Sequence, residues 1–347
     1  MALDDSVLLR TEGRAGYITL NRPRALNALT HDMVRALHTA LAAWERDDAI
    51  GVVVISGAGE RGLCAGGDIR AIHDDARSQG RESVAFWRDE YRLNARIARY
   101  PKPYVAFMDG IVMGGGVGVS AHGSVRVVTE RSRIAMPETA IGFVPDIGGT
   151  HLLARAPGEL GTHLALTGNA VGAGDALLLG LADHCVSSGR LPELAVSLAS
   201  GDVTAAVRDA AVPAPEGELA AHREWIDHCY AADSVEEILE RLMACGERAA
   251  KETAETILTR SPTALKVTLA AMRRARSLDS LEAVLDQEFR VSCAGLSAPD
   301  LVEGIRAQVI DKDREPRWSP ADLAQVSAAD VAAHFAPLGN EELGLAD

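Results

Sequence analysis

The run from Asp109 to Gly149, DGIVMGGGVGVSAHGSVRVVTERSRIAMPETAIGFVPDIGG, gathers groups whose types and spacing suit acyl chemistry. Gly114-Gly115-Gly116 makes a bare glycine turn, and a backbone N–H there, with no Cβ in the way, can approach a ligand oxygen closely. Glu138 and Asp146 follow, eight positions apart, each directly after a proline, Pro137 and Pro145. Amides that hold an oxygen, together with two carboxylates that move protons, suggest chemistry at an acyl carbonyl. Other constellations fail. The glycine run lacks the Gly-Lys-Ser/Thr ending of a phosphate-binding loop and a later ribose-binding acid. The ten histidines include no HExxH pair, and Ser120 and His122 are too close in sequence to argue a triad. Cys64 reads as a small buried residue, since no basic partner is evident for it. None of these patterns calls for a metal.

Alternating strands and amphipathic helices must position this run. Gly16 to Leu20 alternates as a strand and ends at the turn signal Asn21-Arg22-Pro23. Thr30 suits a helix N-cap, and Met33, Val34, Leu37, Ala40, Leu41 and Trp44 recur at helical spacing after it. Val52 to Ile55 reads as a short buried strand before the glycine-rich Gly57 to Asp68. A charged helix from Glu82 to Tyr100 ends at Pro101-Lys102-Pro103, where the pattern restarts with strand Tyr104 to Met108, a turn, a short helix and strand Val125 to Thr129. Two similar units, each with a glycine turn after a strand, predict a repeating β-β-α coil. Helical patterns follow over Glu159 to Leu166 and Ala173 to Leu181, with one more strand near His184 to Val186. Val212 to Gly217 (VPAPEG) reads as a loop or linker. Beyond it lie amphipathic helices over Val235 to Met243, Lys251 to Leu258, Pro262 to Arg274 and Leu281 to Ser292, the third entered through Ser261 as cap and Pro262 at the first helical position.

Composition bounds the possibilities. A chain of 347 residues can bury a substantial core, as one large domain or a domain with an extension. Its 35 basic and 49 acidic residues leave a formal charge of −14, which opposes nucleic-acid binding and obliges any polyanionic ligand to find a local basic cluster. The five cysteines are far apart, with no CxxC pair, so we expect reduced thiols and a cytoplasmic protein. No stretch approaches the roughly 20 apolar residues of a membrane span.

Motifs along nearly the whole chain resemble the crotonase (enoyl-CoA hydratase/isomerase) superfamily. LNRPRALNAL (Leu20 to Leu29), LCAGGDI (Leu63 to Ile69) and the Asp109–Gly149 run carry the superfamily likeness. The segments MPETAIGFVPDIGG (Met136 to Gly149), SPTALKVTL (Ser261 to Leu269) and EGIRAQVIDKDREPRWSP (Glu303 to Pro320), with Asp89-Glu90-Tyr91, resemble the 3-hydroxyisobutyryl-CoA hydrolase branch. The resemblance implies a thioester site in which the amides of Gly67 and Gly115 hold the carbonyl oxygen. Glu138 then corresponds to the catalytic glutamate, as nucleophile or as general base for water, two routes the residues leave open. Asp146 sits where the hydrolase branch carries an aspartate, and repulsion between two nearby carboxylates would raise one pKa and make it a proton donor or an anchor for a substrate hydroxyl. Glu90 matches a substrate-contacting acid, and Arg24 and Arg61 stand where relatives place basic residues near the CoA phosphates, a role that suits the planar guanidinium. Ala25, Ala65, Asp68 and Ile69 complete the implied substrate-binding set. Gly118 departs from the pattern of enoyl-CoA hydratases, which carry their first glutamate there.

These readings predict an α/β protein, a crotonase-type spiral of ββα units over residues 1–200, with a helical C-terminal region over 201–347 that covers the site or joins subunits. The expected activity is hydrolysis of a short 3-hydroxyacyl-CoA thioester, most like 3-hydroxyisobutyryl-CoA in valine catabolism. An enoyl-CoA isomerase or other acyl-CoA lyase, and a non-catalytic acyl-CoA-binding protein, are the alternatives. CoA enters as part of the substrate, with no separate cofactor. The resemblance also implies a homo-oligomer, a trimer or hexamer.

Overall fold

Continuous apolar runs such as Val52-Val53-Val54-Ile55 suit strands covered on both faces, and they form the centre of a mostly parallel sheet. The computed structural model describes residues 5–200 and 202–346. Nine strands occur among them: β1 Val7–Glu12, β2 Ala15–Leu20, β3 Val52–Gly57, β4 Gly62–Cys64, β5 Tyr104–Met108, β6 Ile111–Met113, β7 Val125–Val128, β8 Arg133–Ala135 and β9 His184–Cys185. Six form a sheet in the order β1-β2-β3-β5-β7-β9, in which only the β1–β2 pair is antiparallel; β4-β6-β8 form a second, parallel sheet.

This pairing is the repeating coil read from the sequence, with three turns rather than two. In each turn the first strand (β3, β5, β7) joins the large sheet and the second (β4, β6, β8) joins the small one. A chain that alternates between two parallel sheets returns each strand pair beside the previous pair, so equivalent loops follow the strand ends at neighbouring positions. The second strands are only three residues long, too short for any periodicity to reveal. β1 is also absent from the sequence reading, because it is an edge strand exposed along most of its length and lacks a clean alternation.

Two compact units are present. The first comprises Met1–Asp68, Arg92–Ala135 and Val171–Gly217, and the second Ile69–Tyr91, Met136–Ala170 and Glu218–Asp347. All nine strands belong to the first unit. There Ala15, Val52, Val54, Val105, Phe107 and Val127 on one sheet face pack against Leu191, Leu194, Leu198, Val203 and Val207 from two following helices. The second unit is helical. Its helix Pro262–Ala275 begins with Ser261 Oγ accepting from the Ala264 N–H at 3.0 Å, the cap expected from Ser-Pro. In the helix Leu281–Leu296, Ser280 caps in the same way and Leu281, Val284, Leu285, Glu288, Val291 and Ser292 form the buried stripe.

Candidate active site

In the first unit two glycine loops leave neighbouring parallel strands. The loop after β4 is pinned by the Leu29 N–H donating to the Gly66 carbonyl and the Asp68 N–H donating to the Leu29 carbonyl, both at 2.8 Å. That isolated bridge uses the Gly66 carbonyl and the Asp68 N–H and leaves the Gly67 N–H outside it. After β6, Gly114 adopts φ 47° and ψ −122°, open to glycine alone, and Gly115 begins the helical turn Gly115–Gly118, where a first N–H has no intrahelical acceptor. The two loops touch. A Cβ on Gly66 would stand 3.7 Å from the Gly115 nitrogen, and one on Gly116 would fall 2.3 Å from the Cys64 carbonyl oxygen. Close approach of two backbones is therefore what the glycines secure, and it brings the Gly67 and Gly115 loops together.

In the second unit the acids converge. Glu138 opens the 3₁₀ turn Glu138–Ile141, Asp146 lies two residues before Gly148, and Glu90 sits on the helix Glu82–Ala98. Glu90 is 2% exposed, Glu138 and Asp146 6% each, so neither proline-flanked acid is a surface residue. A further acid from the helix Leu281–Leu296, Glu288, is 1% exposed. Its Oε2 accepts from the Gly148 N–H at 2.6 Å, and its Oε1 from the Thr150 N–H at 2.9 Å and the Thr150 hydroxyl at 2.6 Å. Tyr91 Oη donates to Asp146 Oδ2 at 2.7 Å and lies 2.7 Å from Ser292 Oγ. Glu90 Oε1 and Glu138 Oε2 are buried and meet no hydrogen-bond partner among the described residues. Buried polar atoms are ordinarily hydrogen-bonded, so these two oxygens are exceptions within the cluster.

Burial sets the electrostatics of this cluster. It pushes the Glu138 and Glu90 carboxyls well above the ordinary range, and the charge of Asp146 adds to the rise in each. Asp146 is raised to about 7 by burial, against the Tyr91 hydrogen bond, which favours its ionised form. Glu288 is raised to about 8 by burial, against the hydrogen bonds from Thr150 and Gly148. The neighbouring charges that raise Glu90, Glu138 and Glu288 are all carboxylates, with Asp146 common to the three. Asp146, held at about 7, can take up or release a proton near neutral pH, which suits acid–base work.

The remaining predicted residues lie on the surface of the first unit or at the start of the second. Arg24 and Ala25 are exposed in the 3₁₀ turn Pro23–Ala25, and Arg61 donates from Nη2 to the Pro23 and Arg24 carbonyls at 2.7 and 3.1 Å. Arg61 is thus tied to the backbone of the turn that carries Arg24. The Ala65 N–H donates to the Leu26 carbonyl, which fixes that loop beside the same turn. Asp68 is half-buried and paired with Arg22 at 3.0 Å, and Ile69 begins the helix Ile69–Arg77. A cavity of about 300 Å³ in the first unit is lined by Ser56, Leu63, Phe107, Asp109, Ser188 and Leu191 among others, and by none of the predicted site residues.

The sequence profile described as enoyl-CoA hydratase/isomerase matches residues 15–335. The chain belongs to this family. Among curated relatives, a 3-hydroxyisobutyryl-CoA hydrolase, mitochondrial, of Gallus gallus is 43% identical, covering 98% of this chain and 91% of its own. The Homo sapiens protein of the same name is 42% identical over 98% of this chain and 90% of its own. A solved structure from Mycobacterium thermoresistibile, named as a carnitinyl-CoA dehydratase, superposes with a TM-score of 0.96 at 54% identity over 99% of both chains. The crotonase-type α/β fold expected from the motifs is therefore the fold of this family member. The cytoplasmic expectation is overturned, because the curated relatives are named as mitochondrial. Widely spaced cysteines with no CxxC pair do not say in which compartment a protein resides.

Tyr91, Glu288 and Ser292 were missed in the sequence. Tyr91 stands beside Glu90 in the Asp89-Glu90-Tyr91 motif. Glu288 carried a signal of its own, a carboxylate on the apolar stripe of an amphipathic helix, where an unpaired charge is costly.

Proposed function

We propose that this acyl-CoA thioester hydrolase cleaves a short 3-hydroxyacyl-CoA, with 3-hydroxyisobutyryl-CoA as substrate and 3-hydroxyisobutyrate and CoA as products, a step in valine catabolism. The observation that carries the proposal is the acid set: Glu138 and Asp146 buried together, with Gly118 where a two-glutamate hydratase needs its first acid. The names of the curated relatives support it.

In this reading the Gly67 and Gly115 amides hold the thioester oxygen as it becomes an oxyanion, a contribution of about 10²–10³ in rate for each such donor. Glu138 attacks the carbonyl carbon, the C–S bond breaks to release CoA as thiolate and water then cleaves the resulting anhydride, or Glu138 takes a proton from a water that attacks the carbonyl as the C–S bond breaks. Borohydride trapping during turnover marks Glu138 on the first route only. Asp146, whose carboxyl changes charge near pH 7, exchanges protons with the leaving sulfur or holds the substrate hydroxyl. Glu90 supplies a further acceptor for that hydroxyl. Arg24 and Arg61 attract the CoA phosphates, with Ala25, Ala65, Asp68 and Ile69 shaping the path between.

The dehydratase name of the 54%-identical structure favours a second reading, elimination of water from a 3-hydroxyacyl thioester with CoA left attached. One assay separates the two. With 3-hydroxyisobutyryl-CoA supplied, hydrolysis releases titratable thiol, whereas dehydration produces enoyl-thioester absorbance and no thiol. Enoyl product alone would sink the hydrolase proposal, and silence with measurable CoA-ester binding would favour a binding protein. Glu138→Gln is expected to abolish turnover and leave binding intact.

A further inference from the structure

We propose that the helix Leu281–Leu296 positions Asp146 for the reaction at two points, Glu288 holding the backbone that follows the aspartate and Ser292 acting through Tyr91 on its carboxylate. The inference rests on the hydrolase reading above.

The backbone point begins with strain. Ile147 has φ 56° and Gly148 φ 77°, so two consecutive residues after Asp146 are left-handed. For a β-branched residue such as Ile147 that conformation is a genuine outlier, and it persists only where the surroundings fix it. Glu288 provides the fixing. Both of its oxygens are spent on Gly148 and Thr150, the residues that flank the first position of the helix Gly149–Ala154, while the Gly149 N–H donates to the Asp146 carbonyl at 2.6 Å. The carboxylate point is a chain of hydroxyls. A phenol has one hydrogen, so Tyr91, in giving it to Asp146, must accept from Ser292. Phe289 packs edge-on against the Tyr91 ring, centroids 6.1 Å apart at 81°. Glu288, Phe289 and Ser292 therefore come from one turn of one helix, with Glu288 and Ser292 at the i, i+4 spacing that shares a face.

The groups that face Asp146 are Glu90 and Tyr91 from the helix Glu82–Ala98, Glu138 from its 3₁₀ turn, and Glu288. Among them only the Tyr91 hydroxyl favours the ionised aspartate by a side-chain hydrogen bond. Its removal shifts Asp146 ionisation to higher pH, and a hydroxyl that merely packed would leave that titration in place. Glu288 and Tyr91 are positioning residues here, acting through Asp146.

Thiol release from 3-hydroxyisobutyryl-CoA, measured across pH for wild type, Tyr91→Phe, Ser292→Ala, Ser292→Thr and Glu288→Gln, tests this, with the Asp146 carboxyl titration followed by NMR in the same proteins. Expected are kcat losses of about 10–100-fold in Tyr91→Phe, Ser292→Ala and Glu288→Gln, as for small misplacements of a catalytic group, with KM within about threefold. Ser292→Thr retains the hydroxyl and is expected to restore most of kcat. The Asp146 titration moves up in Tyr91→Phe, with any pH–rate limb it controls. Wild type that releases no thiol would sink the hydrolase reading while the NMR titration still decides the clamp. Active wild type with Tyr91→Phe and Ser292→Ala within about twofold, or an unmoved Asp146 titration, would overturn the inference.

Discussion

The glycine loops of the first unit and the acid cluster of the second are built from opposite materials. In the loops the group we propose to hold the oxyanion is a backbone N–H that every residue but proline possesses, and the sequence specifies space: a Cβ on Gly116 has nowhere to go beside the Cys64 carbonyl. In the cluster the proposed reacting groups are side chains, and four carboxyls are held in a buried volume where each resists ionisation. Packing and function therefore align in the loops and oppose each other in the cluster. The first gains stability from the arrangement that makes the site, whereas the second loses it as the acids ionise.

Gly116→Ala should cost both properties. The intruding methyl displaces the Gly115 amide, so kcat for thiol release is expected to fall about 10²–10³-fold, and overpacking lowers stability by about 1–3 kcal/mol. A variant with normal kinetics would remove the first half of the contrast. Asp146→Asn should separate the two properties, with kcat down about 10²-fold while the thermal midpoint at pH 8 holds or rises, because an amide in that place carries no charge to bury. A midpoint that falls steeply would show the carboxylate to be a net stabiliser.

The pH dependence sharpens the same point. Asp146 at about 7 and Glu288 at about 8 lie above the ordinary carboxyl values of about 4. Between those limits the unfolded chain has released protons that the folded one retains, so their contribution to stability is full below about pH 4 and lost as pH rises toward 8. Urea midpoints of wild type relative to Asp146→Asn should fall across that window, and a difference that rises would reverse the sign. Smallest is Arg61→Ala, which removes an exposed guanidinium that ties down the Pro23–Ala25 turn. KM for the CoA ester should rise a few-fold with kcat unchanged, and an unchanged KM would remove Arg61 from the phosphate site.

Legibility in the sequence followed how local each signal was. Helices with caps, such as the one entered at Thr30, and fully buried strands such as β3 and β5 carry their own pattern over several residues. The three-residue strands carry none, since their place is fixed by pairing with the previous turn of the coil. Glu138 and Asp146 stood out because they share one motif and eight positions of chain. Glu288 and Ser292 complete the same cluster from a helix about 140 residues later, and only packing reveals that. Asp68 illustrates the reverse, a motif residue whose carboxylate is engaged by Arg22 of the neighbouring loop.

The central claim, that the buried acids serve chemistry at the expense of stability, is tested most directly by one paired measurement on wild type and Glu138→Gln at pH 8: thiol release from 3-hydroxyisobutyryl-CoA and the thermal midpoint, on the same samples. Loss of at least about 10³-fold in turnover with an unchanged or higher midpoint is predicted, consistent with removal of a catalytic acid–base group. Retained turnover, or a midpoint that collapses along with it, would contradict the claim.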